Sequence, residues 1–253
     1  MTTGRIASRK QGNSASTLPE VGKIKIGEKV KNAKGIEYPT SLDYFRATGN
    51  YANEFKAVYG DKPKRLNIAF ISDNIEEVCN QRFESWVSGK RYGWGDGINF
   101  TVFDKNVGEK GSYVECSADD SRVKALKWDE TLTLRFVLLN MPGLMGYWSL
   151  QTKAKAVTIP SIVKSFDFVR ERAGSIVGFP FNLIVEKKTG YNPGEAKNYP
   201  VISLVPNFTE ESIEQVRQYL DTGGAMSRLT TKMISENRVL EVLEAKQLSE
   251  GKK

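Results

Sequence analysis

The 253-residue chain contains no histidine. That excludes Ser–His and Cys–His nucleophiles, histidine metal triads and histidine acid–base relays. Only oxygen ligands would remain for a hard ion such as Mg²⁺. Cysteine is nearly as scarce. Cys79 and Cys116 stand far apart, follow no metal spacing and read as reduced structural thiols. No run approaches the roughly 20 apolar residues that a membrane span needs. Arg5, Arg9 and Lys10 are followed by no apolar stretch, so no secretory signal is expected and the protein is expected in the cytoplasm. Spaced acidic sets are missing too. Glu76-Glu77, Asp119-Asp120 and Glu210-Glu211 each sit where a helix would begin and would welcome negative charge. No metal, cofactor or enzymatic activity is expected.

What is there suits a folded chain. It is 40% hydrophobic and 26% charged, and long enough to bury a substantial core. The net charge of +7 favours acidic partners such as nucleic acid. The excess gathers in Met1–Lys34 and the final Gly-Lys-Lys, which fits a solvated basic tail equally well.

The clearest pattern lies between Thr131 and Pro206. Thr131–Leu139 alternates, with Leu132, Leu134, Phe136 and Leu138 on one face and Thr131, Thr133 and Arg135 on the other, as in a half-buried strand. Pro142-Gly143 turns the chain and Gly146–Lys153 returns, which predicts a hairpin. Thr158 is placed to cap a helix with Pro160 in its first turn. Ile159, Ile162, Val163, Phe166 and Val169 recur at helical spacing, and Gly174 stops them. Phe179–Val185 and Val201–Val205 read as strands. Thr209 opens a closing helix with Ile213, Val216 and Leu220 inside.

Upstream, residues 1–17 are polar and basic without period, and are expected to be a disordered arm. Val21–Gly27 and Pro39–Thr48 read as strands around a turn at Asn32–Gly35. In the second of them Leu42, Tyr44 and Arg46 oppose Asp43 and Phe45. Tyr51, Phe55, Val58 and Tyr59 predict a short helix stopped by Gly60. Arg65–Phe70 is a strand, and Ser72 or Asp73 is placed to cap a short helix through Ile75, Val78 and Cys79. Phe83–Val87 and Ile98–Phe103 are strands joined by a glycine-rich link. Asp119–Leu126 is amphipathic only over a short length. After Gly223-Gly224, Ala225–Leu248 is rich in helix formers. The expected organisation is an arm (1–17), a core (18–222, one domain or two sub-domains) and a helical extension (223–253). The fold class is α+β: mainly antiparallel sheets covered by a few short helices, with a C-terminal helix.

Three stretches are candidate contact sites. In the glycine-rich link, Lys90, Arg91, Tyr92 and Trp94 set cations beside aromatics, a combination that suits base stacking or a protein hot spot; the plainer reading is a hairpin loop with glycines at positive φ. The Met141–Tyr147 tip offers Met141, Leu144 and Met145. It either folds under another segment or docks a partner. The helix after Gly224 carries a broken stripe of Met226, Leu229, Met233, Leu240 and Leu243. That stripe packs on its own domain or serves as an arm for a partner or a second copy.

Several stretches, taken in order and spacing, resemble one known family. They are Gly22–Gly27, Pro39–Phe45, Phe55–Pro63, Val78–Glu84, Thr131–Phe136, Gly146–Lys153 and Tyr199–Pro206. The set resembles the phage recombination directionality factor-like family, over about Val21 to Leu220. The resemblance implies a non-enzymatic accessory protein that binds a large serine integrase on DNA and switches it from integration towards excision. It supplies no functional motif to transfer residue by residue. Related genes sit among phage replication functions, so a single-stranded DNA-binding protein is the alternative, with weak non-specific nucleic-acid contact. Neither reading involves a membrane.

Overall fold

The computed structural model describes residues 18–192, 195–209, 211, 213 and 214. In chain order they form β1 (Glu20–Lys31), β2 (Glu37–Thr48), α1 (Ala52–Tyr59), β3 (Arg65–Ala69), α2 (Ile75–Val78), β4 (Cys79–Val87), β5 (Lys90–Gly95) and β6 (Asn99–Asp104). There follow β7 (Ser112–Ser117), α3 (Ser121–Lys124), β8 (Asp129–Leu138), β9 (Tyr147–Thr152), α4 (Thr158–Ala173), β10 (Pro180–Asn192) and β11 (Glu195–Pro206). This is the expected α+β class of mainly antiparallel sheet with few short helices. The expected arm (1–17), the residues Val216 and Leu220 and the expected helix Ala225–Leu248 lie outside the described residues.

Strand β8 is the hub. One of its edges carries β4 along residues 129–134 and then β3 at Val137 and Leu138. Its other edge carries β9, with Leu134 opposite Leu150 and Phe136 opposite Trp148, which is the predicted hairpin. From β3 the sheet continues to β10 and β11; from β4 it continues through β5 and β6 to β7. β9 pairs in parallel with β1, and β1 pairs with β2. β2 comes back beside β10. Asp43 lies 3.1 Å from Lys187 and 3.7 Å from Lys64, and the hydrogen bond from Lys187 chiefly holds its carboxyl below the usual value.

The main core fills the space these strands enclose. Phe45, Phe136, Trp148, Phe166 and Phe181 are each 1% exposed or less. α4 buries Ile159, Ile162, Phe166 and Val169, the predicted stripe, while Val163 is half-buried at its border. Phe166 meets Phe70 edge-on at 5.4 Å. Gly174 takes the left-handed conformation and its N–H closes the helix on the Arg170 carbonyl, as predicted. A separate, smaller core of Phe100, Val102, Cys116 and Val123, with Phe83 and Trp128 packed on it, lies under β5, β6 and β7. Arg122 ties that region together by bridging Asp104 and Asp120, and the guanidinium holds the Asp120 carboxyl well below the usual carboxylate range.

Several local expectations are corrected. The glycine-rich link is not a loop: a two-residue turn at Ser88 and Gly89, both at positive φ, starts strand β5. Gly93 and Gly95 lie within that strand, and both must be glycine because a Cβ would come within 2.8 Å of the Trp128 ring at the first and 2.4 Å of the Phe100 ring at the second. β7 was not expected, since only Val114 and Cys116 of its residues turn inward and neither is large. The Thr158 hydroxyl does not cap α4; it accepts the Ile202 N–H of β11. Asn74, rather than Ser72 or Asp73, caps α2 by accepting the Glu76 N–H. Asp73 instead accepts from Ser175 and the Ile176 N–H. In β2 the buried residues are Leu42, Phe45 and Ala47, not one alternating set. The register jumps from Lys25–Arg46 to Gly27–Ser41, and the extra residues on β2 reset its face. β10 and β11 run well beyond the predicted spans as one antiparallel ladder.

Two outcomes follow from this packing. Phe166→Ala removes a fully buried ring from both α4 and the sheet, and should cost roughly 3–5 kcal/mol in denaturant unfolding. Burial, aided by the Asp167 charge, pushes the Cys79 thiol up to about 12, and burial also raises Cys116. Neither thiol should react with a maleimide in the native protein at neutral pH, and both should react in denaturant.

Candidate interaction face

The alternation that buries Leu132, Leu134 and Phe136 sends Thr133 and Arg135 through to the opposite face of the sheet. Register carries the same face sideways. Arg135 stands opposite Ser149 of β9, and Ser149 opposite Lys23 of β1. Thr133 stands between Asn80 of β4 and Gln151 of β9. Farther along β4, Glu84 aligns with Trp94 of β5, Thr101 of β6 and Glu115 of β7. One continuous face therefore crosses β1, β9, β8, β4, β5, β6 and β7. Over β1, β9, β8 and β4 it sinks into a groove of about 1050 Å³.

Glu84 organises the middle of this face. It is 1% exposed, so its charge must be met by partners. Arg82 Nε donates to it at 2.8 Å, Trp86 Nε1 at 3.0 Å and Gln151 Nε2 at 3.4 Å, with Arg91 Nη1 4.0 Å away. The bonds fix side chains from β4 and β9 in one arrangement, and the ion pair draws Arg91 of β5 to it. They also spend the carboxylate, so the groove remains cationic. Lys23 and Lys25 are exposed and have no carboxylate partner among the described residues. Arg135 donates to the Glu77 carbonyl at 2.7 Å and lies 5.8 Å from the Tyr147 ring centroid. Lys153 pairs with Asp129 at 2.9 Å, and Glu20 accepts from Ser149 at the groove's end.

Beyond Glu84 the face turns aromatic. The Arg91 guanidinium stacks 4.5 Å from the Trp94 ring. Trp94 meets Tyr113 at 5.0 Å, Tyr113 meets Phe103 at 5.4 Å and Phe103 meets Tyr92 at 5.9 Å. Tyr113 Oη donates to the Arg91 carbonyl at 2.8 Å. Trp86, at the seam between cations and aromatics, is 50% exposed.

The residues named from sequence divide three ways. Arg91, Tyr92 and Trp94 come together on this face, on a strand rather than a loop, and Lys90 stands exposed at the start of that strand. At the Met141–Tyr147 tip, Met141 is buried in the main core, Leu144 is half-buried against it and Met145 is 83% exposed. Met226, Leu229, Met233, Leu240 and Leu243 lie outside the described residues. Sequence reading missed Lys23, Lys25, Arg82, Glu84, Trp86, Arg135 and Tyr147. Their signal was the outward phase of the strands whose inward phase marked the core. Among the described residues no group of His, Cys, Asp or Glu could hold a metal, and no helix is long and apolar enough to cross a membrane.

Residues 21–207 match the family model described as Gp3-like, recombination directionality factor-like. The chain belongs to this recombination directionality factor-like family. No curated protein and no solved structure matches it. The span shared with this recombination directionality factor-like family runs from within β1 to just past β11, and so takes in the open face from Lys23 to Gln151.

Glu84→Ala would leave Arg82, Trp86 and Gln151 without their shared acceptor. Stability to denaturant should fall by about 1–3 kcal/mol, and Glu84→Gln, which keeps a carbonyl acceptor, should recover part of the loss.

Proposed function

We propose that this protein is a non-enzymatic recombination directionality factor, which binds a serine integrase on its DNA sites and shifts it from integration to excision in the cytoplasm of a bacterial host. Family membership over residues 21–207 carries this reading. The physics asks for no catalytic group. An integrase held in one conformation needs a ligand that prefers the other, and a swing from 1:99 to 99:1 takes about 5.5 kcal/mol of differential binding. One protein interface with a few anchors can supply that.

The anchors we propose are Met226, Leu229, Met233, Leu240 and Leu243 of the expected helix beyond Gly224, flanked by both signs of charge for steering. The Met141–Tyr147 tip is the lesser contributor. Met141 and Leu144 are engaged in the core, which leaves Met145 as its exposed anchor.

Deletion after Gly224 tests the proposal. The truncated chain should keep the melting transition of the core and lose co-elution with the integrase encoded beside it, together with excision of a paired-site substrate in vitro. Retention of both activities would remove the helix from the interface. Failure of the full-length chain to bind that integrase would sink the directionality reading itself.

A further inference from the structure

The open sheet face has a chemistry that the anchors proposed above for directionality switching do not use. Cations collect at one end of it, where Lys23, Lys25 and Arg135 line the groove and Lys153 edges it. Aromatic rings collect at the other, where Trp94, Tyr113, Phe103 and Tyr92 form a cross-strand cluster. Trp86 and Arg91 stand between the two. We propose that this face binds single-stranded nucleic acid, with phosphates along the Lys23–Arg135 groove and unpaired bases stacked on Trp86 and the neighbouring rings.

Three features favour that ligand. The first is charge. Glu84, central to the face, is already neutralised by Arg82, and Asp129 beside it is paired with Lys153; Glu20 stands towards one end, and Glu76 and Glu115 towards the other. What lies between them complements a polyanion. The second is geometry. Bases stack on ring faces presented at a surface, and Trp86 and Tyr113 are 50% and 45% exposed. A duplex keeps its base faces inside its own stack, and α2, the helix that borders this face, is only four residues long and is tied to it by the bond from Arg135 to the Glu77 carbonyl. The third is preorganisation. Glu84 holds Arg82, Trp86 and Gln151 in fixed places without a ligand, so little side-chain freedom is lost on binding. An acidic polypeptide would satisfy the cations, but it would leave the ring faces without their natural partner.

The test uses the full-length chain and labelled oligo-dT, read by anisotropy and by tryptophan quenching. Trp86 and Trp94 lie on the face while Trp148 is buried in the core, so binding should quench part of the emission. Affinity should fall steeply with salt. Lys23→Gln with Lys25→Gln should reduce the log–log salt slope by about 1.4, at about 0.7 per lost phosphate contact on a single strand. Trp86→Ala should weaken binding by about 5- to 150-fold, the loss of one stacked base, and Trp86→Phe should restore most of it. A thermal melt checks that each variant is folded, and co-elution with the integrase, measured on the same variants, should be unchanged. A wild-type chain that binds oligo-dT but does not co-elute with the integrase would count against the directionality reading alone.

The inference is overturned if oligo-dT does not bind at low salt. It is also overturned if folded variants of the face bind as tightly as wild type, which would assign binding to the basic termini. Duplex of the same length binding as tightly, or poly-glutamate displacing oligo-dT as effectively as unlabelled oligo-dT, would overturn it too; the latter would make this face an acidic-peptide site.

Discussion

A strand paired along both edges cannot slip by one residue without turning its whole side-chain set over. β8 is held in that way: β9 lies along one edge, and β4 and then β3 share the other. A slip would bring Thr133 and Arg135 into the space now filled by Leu134 and Phe136, and would open the main core. The same registration fixes the outer face, since Arg135 can stand beside Ser149 and Lys23 only while Leu134 stands beside Leu150. Core and face are thus two readings of one ladder, and a change that weakens one misplaces the other.

Much of this was legible in the residues. The Thr131–Leu139 alternation, the turn at Pro142-Gly143, the α4 stripe and the Gly174 stop all stood in the sequence as local patterns, and the structure has them. What escaped were features decided by neighbours distant in sequence. Gly93 and Gly95 look like loop glycines until the Trp128 and Phe100 rings are placed against them. Leu42 and Phe45 break their expected phase because β1 and β2 have unequal lengths between paired residues. Thr158 carries the chemistry of a cap but meets a strand N–H first. The candidate face followed the same rule. Trp94 and Arg91 attract notice because they lie in one glycine-rich stretch, whereas Lys23, Trp86 and Arg135 become one surface only when β1, β4 and β8 are laid side by side.

Glu84 shows how such a surface is kept in shape. A buried carboxylate is costly unless its partners surround it, and it adds little net stability even when they do. Its value is specificity of arrangement. Arg82 and Trp86 flank Glu84 on β4 while Gln151 stands on β9, and one pair of oxygens gives each a fixed direction. Apolar packing could not do this at a face open to water. The arrangement places an anionic group among the cations of the groove, with its charge directed inward.

The parallel pairing of β1 with β9 joins residues more than a hundred positions apart, and it depends on the Trp148 ring lying where any side chain at Gly22 would collide with it. On the ribosome β1 and β2 emerge early, yet the edge that β1 must join does not exist until β9 has been made. Throughout that interval the first hairpin carries an unfilled row of hydrogen-bonding groups and an uncovered Ile24 and Phe45. The sheet is therefore joined at β1 only after β9 is made, and the interval between the two is when β1 is most exposed to pairing with the wrong strand.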